Sequence, residues 1–301
     1  SGGSFQNLIR SKHLFSRDST EKGEYVIFDD IICIGEMAWR QGEIRRYFGN
    51  GIWSRVDIRD TFIGEMMGRF SQRSYEKEIM DDLEFEGPVL EQSLKELRTI
   101  NRLLGGNNVT TTGLEIIMKR CPQEKYVIAD IGCGGGDMIR VMSDWSHRYG
   151  YNCNFLGIDA NKNTIEFAQE RLKDLNGVLL KTENVFDESF EHDQVDIITC
   201  TLFTHHFTDE ELVRLFRSFV KKARLGIVIN DLHRHRVAYF SIKLLTKFFS
   251  KSPMVQNDGP LSVLRGFSKK DLQRILGLSG LKTIQIQWFW AFRWQVIGMI
   301  L

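Results

Sequence analysis

Two groups of residues in this chain are spaced for chemistry. Residues 130–137 read Asp-Ile-Gly-Cys-Gly-Gly-Gly-Asp, directly after the apolar run Tyr-Val-Ile-Ala at 126–129. Two histidine pairs, His205-His206 and His233 with His235, each follow a later apolar run. Glycines this dense behind a buried-strand pattern let the backbone come close to a ligand. Imidazoles titrate near neutrality, so any of the four could take a proton from a reacting group.

The spacing of the glycine loop discriminates between ligands. A P-loop needs GxxxxGK[ST], and no Lys-Ser or Lys-Thr follows here. A dinucleotide fingerprint needs GxGxxG, whereas Gly132, Gly134 and Gly136 are spaced GxGxG. Asp137 stands where a helix N-terminus would receive a pyrophosphate, and a carboxylate there repels phosphate. Asp130, at the end of a buried strand, needs donors or a cation. Together these features favour a phosphate-free, positively charged ligand. Asp159 ends a second apolar run, in "LGIDANK". It could accept both hydroxyls of a ribose or, alternatively, serve as a plain helix N-cap.

The elements that must position these groups read as an α/β chain. Apolar strands are expected at 126–131, 155–158, 178–181, 195–201 and 225–229. Helices over 138–148, 163–174, 209–222 and 268–278 alternate with them. Near-continuous apolar strands separated by helices indicate a parallel sheet covered on both faces. Two last strands, "LKTIQIQW" and "FRWQVIGMI", join through a turn too short for anything but an antiparallel pair. Upstream, 74–104 reads as helical, with Leu90, Leu94, Leu97 and Leu104 on one face, and a short helix follows over 112–120.

Residues 1–66 form an extension with no chemical motif. "EYVIFDDIICIGEMAW" could supply one or two strands, "GNGIW" signals a turn, and the opening "SGGS" reads as an appended linker. The organisation expected is thus an extension at 1–66, a helical segment or lid at 67–120, and a ligand-binding domain at 121–301. That domain carries a lid insertion at 236–265.

With 301 residues, 42% of them hydrophobic, the chain can bury a sizeable core. Its 40 Lys and Arg against 39 Asp and Glu give no global field that would draw nucleic acid or an anionic membrane. The five cysteines lack a CxxC pair, which suits reduced thiols in a cytoplasmic protein. No apolar run is long enough for a membrane span.

"DIGCGGGD" and "GIDA" resemble the S-adenosylmethionine-binding motifs of the Rossmann-like (class I) methyltransferases. "ENVFD", at 183–187, resembles the segment flanking adenine in that family. "VDIITCTLFTHHF", at 195–207, is similar to the fourth-strand motif of the ubiquinone/menaquinone-biosynthesis-type small-molecule methyltransferases. The resemblance covers about residues 75–301 and implies a three-layer αβα fold. Its sheet would be seven-stranded, doubly wound and mixed, ending in an antiparallel hairpin. It implies S-adenosylmethionine as cofactor, held by Asp130, Gly132, Cys133, Gly134, Gly136, Asp159, Ala160, Asn184, Val185, Phe186 and Thr201. The activity implied is methyl transfer to a small, hydrophobic acceptor such as a phenol, quinone or polyketide, at oxygen or carbon.

Such transfer depends chiefly on alignment, with a base where the acceptor is a phenol or an activated carbon. His233 is the first candidate, because Asp231 is near enough in sequence to orient it, and His206 is the second. Zinc held by the four histidines lacks any supporting cysteine or carboxylate spacing. In the insertion, Tyr239, Ile242, Leu245, Phe248 and Phe249 form an apolar stripe flanked by Lys243, Lys247 and Lys251. This suits a lid over a hydrophobic acceptor, with transient contact to a lipid surface. The chain is expected to act as a monomer or homodimer. Alternative readings are a macromolecular (protein or RNA) methyltransferase, a non-catalytic protein that binds the same cofactor, and an NAD-dependent oxidoreductase.

Overall fold

The computed structural model describes residues 68–300 except 188–189 and 191–193, together with six short strands between Leu14 and Val56. The chain divides into two compact units, Ser1–Gln72 and Arg73–Leu301.

In the first unit, β1 (Leu14–Ser16), β2 (Tyr25–Ile27), β5 (Ile44–Phe48) and β6 (Ile52–Val56) pair antiparallel in the order β1-β2-β5-β6. β3 (Ile31–Ile34) and β4 (Met37–Arg40) form a separate hairpin. The stretch expected to give one or two strands gives three, β2, β3 and β4.

The second unit holds one seven-stranded sheet. Its strands are β7 (Tyr126–Ile131), β8 (Cys153–Asp159), β9 (Val178–Thr182), β10 (Val195–Thr201), β11 (Ala223–Leu232), β12 (Thr283–Phe289) and β13 (Arg293–Met299). They run in the order β12-β13-β11-β10-β7-β8-β9. β13 runs opposite to the other six strands.

The helices are α1 (Pro88–Leu103), α2 (Gly106–Arg120), α3 (Asp137–Tyr149), α4 (Lys162–Leu172), α5 (Asp209–Lys222), α6 (Arg236–Phe249), α7 (Pro253–Arg265) and α8 (Lys269–Gly277). One apolar layer joins Leu215, Phe216 and Phe219 of α5 and Ile275 of α8 to Ala129 and Ile131 of β7. The opposite layer joins Ile117 of α2, Met142 of α3 and Ile165 of α4 to Tyr126 and Ile128 of the same strand. Alternate residues of β7 thus face opposite layers, which is why the strand reads as continuously apolar.

Three expectations change. The helix expected from 74 begins only at Pro88, where a proline at the first position follows Gly87 in a positive-φ conformation. Before it lies irregular chain with one 3-10 turn at Ile79–Asp81. The insertion is two helices, broken at 250–252 where the Ser252 hydroxyl accepts from the Val255 amide and Pro253 opens α7. The second helix upstream begins at Gly106, six residues earlier than the pattern indicated.

The sheet reverses its winding between β7 and β10, so the loops after these strands flank a crevice. Open α/β sheets bind ligands at such a point.

Candidate active site

A cavity of about 480 Å³ opens over the C-terminal ends of β7, β8, β9 and β10. On one side stands the glycine loop. The amides of Gly132 and Cys133 donate to the Ile158 carbonyl, tying the loop to β8. Gly132, Gly134 and Gly136 all have positive φ, which only glycine takes without strain. Asp159 is anchored by two backbone amides, from Gly134 to Oδ2 and from Asn161 to Oδ1, both at 3.0 Å. Burial raises its carboxyl above the usual value, while these amides pull the other way. Asp159 also lines the cavity. Asn184 folds its own side chain onto the Phe186 amide, and the turn presents Val185 and Phe186 to the cavity.

The opposite side is built around the turn Thr204–His206 after β10. The Arg73 guanidinium donates to the carbonyls of His205 (3.1 Å) and Phe207 (2.9 Å) and pairs with Asp209 at 2.7 Å. Arg265, at the end of α7, donates to the His206 carbonyl and to Asp81, both at 2.5 Å. Asp258 accepts from the amides of Ile79 (2.9 Å) and Met80 (3.0 Å), fixing the 3-10 turn that carries Asp81.

That turn brings Asp81 Oδ1 to 2.5 Å from His206 Nδ1. Burial works to raise the Asp81 carboxyl, but its contacts with His206 and Arg265 outweigh it and hold the group below the carboxylate range. An ionised Asp81 can only accept, so Nδ1 of His206 carries the proton and a neutral ring leaves Nε2 as the proton acceptor.

His205 points into the protein, with its Nδ1 at 2.7 Å from Asp231 Oδ1. Asp231 also accepts from the Thr204 hydroxyl, and burial is overcome by His205 and Thr204 to keep it below the usual range. On the far side of the His205 ring, Glu78 Oε1 lies 3.6 Å from Nε2 and has no hydrogen-bond partner. Burial pushes the Glu78 carboxyl up to about 7 against the opposing pull of His206, Arg265 and Ser262. Glu78, His205 and His206 offer metal-ligand atoms within 4.8 Å of one another. The Arg265 guanidinium, with Nε 3.6 Å from Glu78 Oε1, already supplies a cation there.

Of the residues singled out in the sequence, Gly132, Gly134, Asp159, Ala160, Asn184, Val185, Phe186 and His206 line this cavity. Others do not reach it. Asp130 is buried beneath the loop, accepts from Thr199 Oγ1 at 2.8 Å, and is raised to about 7 by burial. The Cys133 thiol is buried, Gly136 packs on Leu172 at the start of α3, and Thr201 bonds Thr110 at 2.9 Å. Asp137 is paired with Arg171 at 2.6 Å, so its repulsion of phosphate is weaker than a free carboxylate would give.

His233 differs most from expectation. Asp231 orients His205 instead, with its Oδ1 2.7 Å from His205 Nδ1. The His233 ring accepts from Trp288 Nε1 at 3.2 Å and packs on Trp294. Burial, with His235 and Arg234 nearby, lowers it to about 4. Sequence reasoning also missed Glu78, Asp81 and Arg265. Only the acidic cluster "MDD" hinted at them, and it lacks any periodicity to say where it points.

A glycine loop and a strand-end carboxylate thus lie at the switch point of a sheet with one antiparallel strand. Residues 73–301 have the Rossmann-like fold of the class I S-adenosylmethionine-dependent methyltransferases. Residues 128–226 match the family model described as a methyltransferase domain. The uncharacterized methyltransferase YcgJ of Bacillus subtilis is 36% identical over 101 residues, which cover 32% of this chain. The chain spans about a third (36%) of that relative's length.

Solved structures add likeness of fold. A SAM-dependent methyltransferase from Aquifex aeolicus aligns with TM-score 0.50 and 15% identity over 72% of this chain and 100% of its own. The plantazolicin methyltransferase BpumL in complex with SAH aligns with TM-score 0.54 and 12% identity over 81% and 99%. A putative O-methyltransferase from Nostoc punctiforme aligns with TM-score 0.52 and 13% identity over 80% and 68%.

Proposed function

We propose that this chain transfers the methyl group of S-adenosylmethionine to a small, largely apolar acceptor at oxygen or carbon, with His206 taking the acceptor proton. One observation carries the reading: a single cavity joins the glycine loop and Asp159 to the His206–Asp81 pair. When bound, S-adenosylmethionine supplies an electrophilic methyl on a sulfonium. The chain's own residues do the rest. Asp159 and the loop hold the nucleoside, and Val185 and Phe186 offer an apolar surface to its base. Phe203, Phe207, Met80 and Leu83 exclude water on the acceptor side and suit a flat apolar molecule. Asp81 keeps the His206 tautomer that accepts at Nε2, a role suited to a phenol or an activated carbon.

Calorimetry tests the cofactor half: S-adenosylhomocysteine should bind and NADH should not, and the reverse result would sink the reading. For the acceptor half, a panel of phenols, quinols and polyketides with radiolabelled methyl donor should give a product. His206→Gln should then lose about 10²–10⁴-fold in kcat at unchanged S-adenosylhomocysteine affinity. Full activity in that variant would remove the base assignment.

A further inference from the structure

Helix α6 is apolar on both of its faces. Ala238, Tyr239, Ile242, Leu245 and Thr246 are buried or half-buried, so the stripe noted in the sequence mostly packs inward. A second stripe faces solvent: Val237, Phe240, Leu244 and Phe248 recur at helical spacing, with Phe248 69% and the adjoining Phe249 81% exposed. An apolar stripe on a helix is normally buried. This one is not.

The stripe continues onto a second element. His235 caps α6 and stacks on Phe292 with ring centroids 4.9 Å apart, and His233 accepts from Trp288. The β12–β13 turn therefore abuts the start of α6 and presents Trp290, 75% exposed. Ala291 and Phe292 hold this turn at positive φ without a glycine, a backbone cost tolerated where the turn has a use.

Charge decides what such a surface meets. Residues 236–257 and 281–301 contain no Asp or Glu, while Arg236, Lys243 and Lys251 flank the stripe. Glu96, beside the end of α6, is occupied by the Ser250 hydroxyl and the Lys251 amide. Exposed Phe and Leu beside Lys, with Trp at the edge, is the composition of a surface that lies in a lipid headgroup layer.

We propose that the outer face of α6 and the Trp290 turn form a docking surface for an anionic phospholipid bilayer. Trp290 and Phe248 enter the headgroup boundary, and Lys243 and Lys251 meet lipid phosphates. The face stands independently of the acceptor's identity. α7, which carries Arg265 to the cavity, follows α6 directly, so docking holds the acceptor side near a lipid phase.

Flotation of the full chain tests this with vesicles of equal phosphatidylglycerol and phosphatidylcholine against phosphatidylcholine alone. The chain should float with the anionic vesicles, with a blue shift of tryptophan emission, and salt should weaken binding. Lys243→Ala should reduce partitioning about fivefold. Phe240→Asp and Phe248→Asp should each reduce it by about tenfold or more. Both sites are exposed, so unchanged circular dichroism and S-adenosylhomocysteine affinity would show that the fold is kept. Absence of flotation, flotation indifferent to these substitutions, or a solution dimer that they dissociate without any vesicle binding would each overturn the proposal.

Discussion

Replacing Gly132 by alanine, with Gly134→Ala as its partner, separates backbone strain from crowding in the glycine loop. Both residues have positive φ, +67° and +51°, so each alanine adds left-handed strain of about 1–2 kcal/mol. Their surroundings differ. A Cβ on Gly134 would meet nothing nearer than Leu94 Cδ2 at 4.0 Å, whereas one on Gly132 would lie 2.1 Å from Phe203 Cδ2 and 2.5 Å from Cγ. The Phe203 ring must therefore move. It packs against Phe207 at 4.9 Å, and displacing a packed side chain adds about 1–3 kcal/mol. Gly134→Ala should then lower stability by about 1–2 kcal/mol and Gly132→Ala by about 2–5.

In a unit of this size each kcal/mol moves Tm by about 2–4 °C, so differential scanning calorimetry resolves the two variants. Phe203 also lines the cavity, so Gly132→Ala should weaken S-adenosylhomocysteine binding about tenfold in calorimetric titration. Adding Phe203→Leu should restore part of both losses, a coupling that independent sites would not show. Equal Tm losses in the two variants, or a Gly132→Ala protein of unchanged affinity, would refute the close-approach argument.

Asp159→Ala should weaken S-adenosylhomocysteine by about 10–100-fold, because a charged acceptor of hydrogen bonds contributes about 1.5–3 kcal/mol; unchanged affinity in the titration would remove the ribose assignment. Glu78→Gln tests the buried carboxyl. With its folded value raised to about 7 from a reference of 4.5, the protonated form favours folding below pH 4.5, and that contribution is lost as pH rises through 7. The Gln variant keeps a neutral group and the Ser262 contact, so its Tm relative to the parent should climb between pH 5 and pH 8 by several degrees. A flat difference would show that Glu78 ionises without penalty.

Much of the cofactor half was legible because its signals are local. β7 and β10 were read to the residue from apolar runs bounded by glycine or polar turns, and the "DIGCGGGD" and "GIDA" motifs stand at the C-terminal ends of β7 and β8. The position of Asp130 before the loop was visible too, but the direction of its side chain, down onto Thr199, is set by β10 alongside. Asp81 and Glu78 were not legible. They lie in chain that has no regular period and takes its shape from Asp258 and Arg265, close to 180 positions later. Likewise, choosing His233 over His206 assumed that a nearby Asp231 must serve it, whereas the end of β11 delivers that carboxylate to His205.

This difference follows from how the two halves of the cavity are built. The cofactor side is tied by backbone bonds between neighbouring strands, such as the Gly132 and Cys133 amides on Ile158. Substitutions elsewhere leave it standing as long as β7 and β8 pair. The acceptor side is held by side chains reaching across the chain: Arg73 and Arg265 onto the carbonyls of 205–207, and Asp258 onto the turn at 79–81. Each clamp can change with its own segment, without touching the glycine loop. The residues between 75 and 86 can therefore alter which acceptor fits while the same carboxylate, Asp81, still sets the tautomer of His206. Under the proposed function, recognition of the acceptor would then rest on this irregular segment and α7, with the sheet providing the methyl donor's seat.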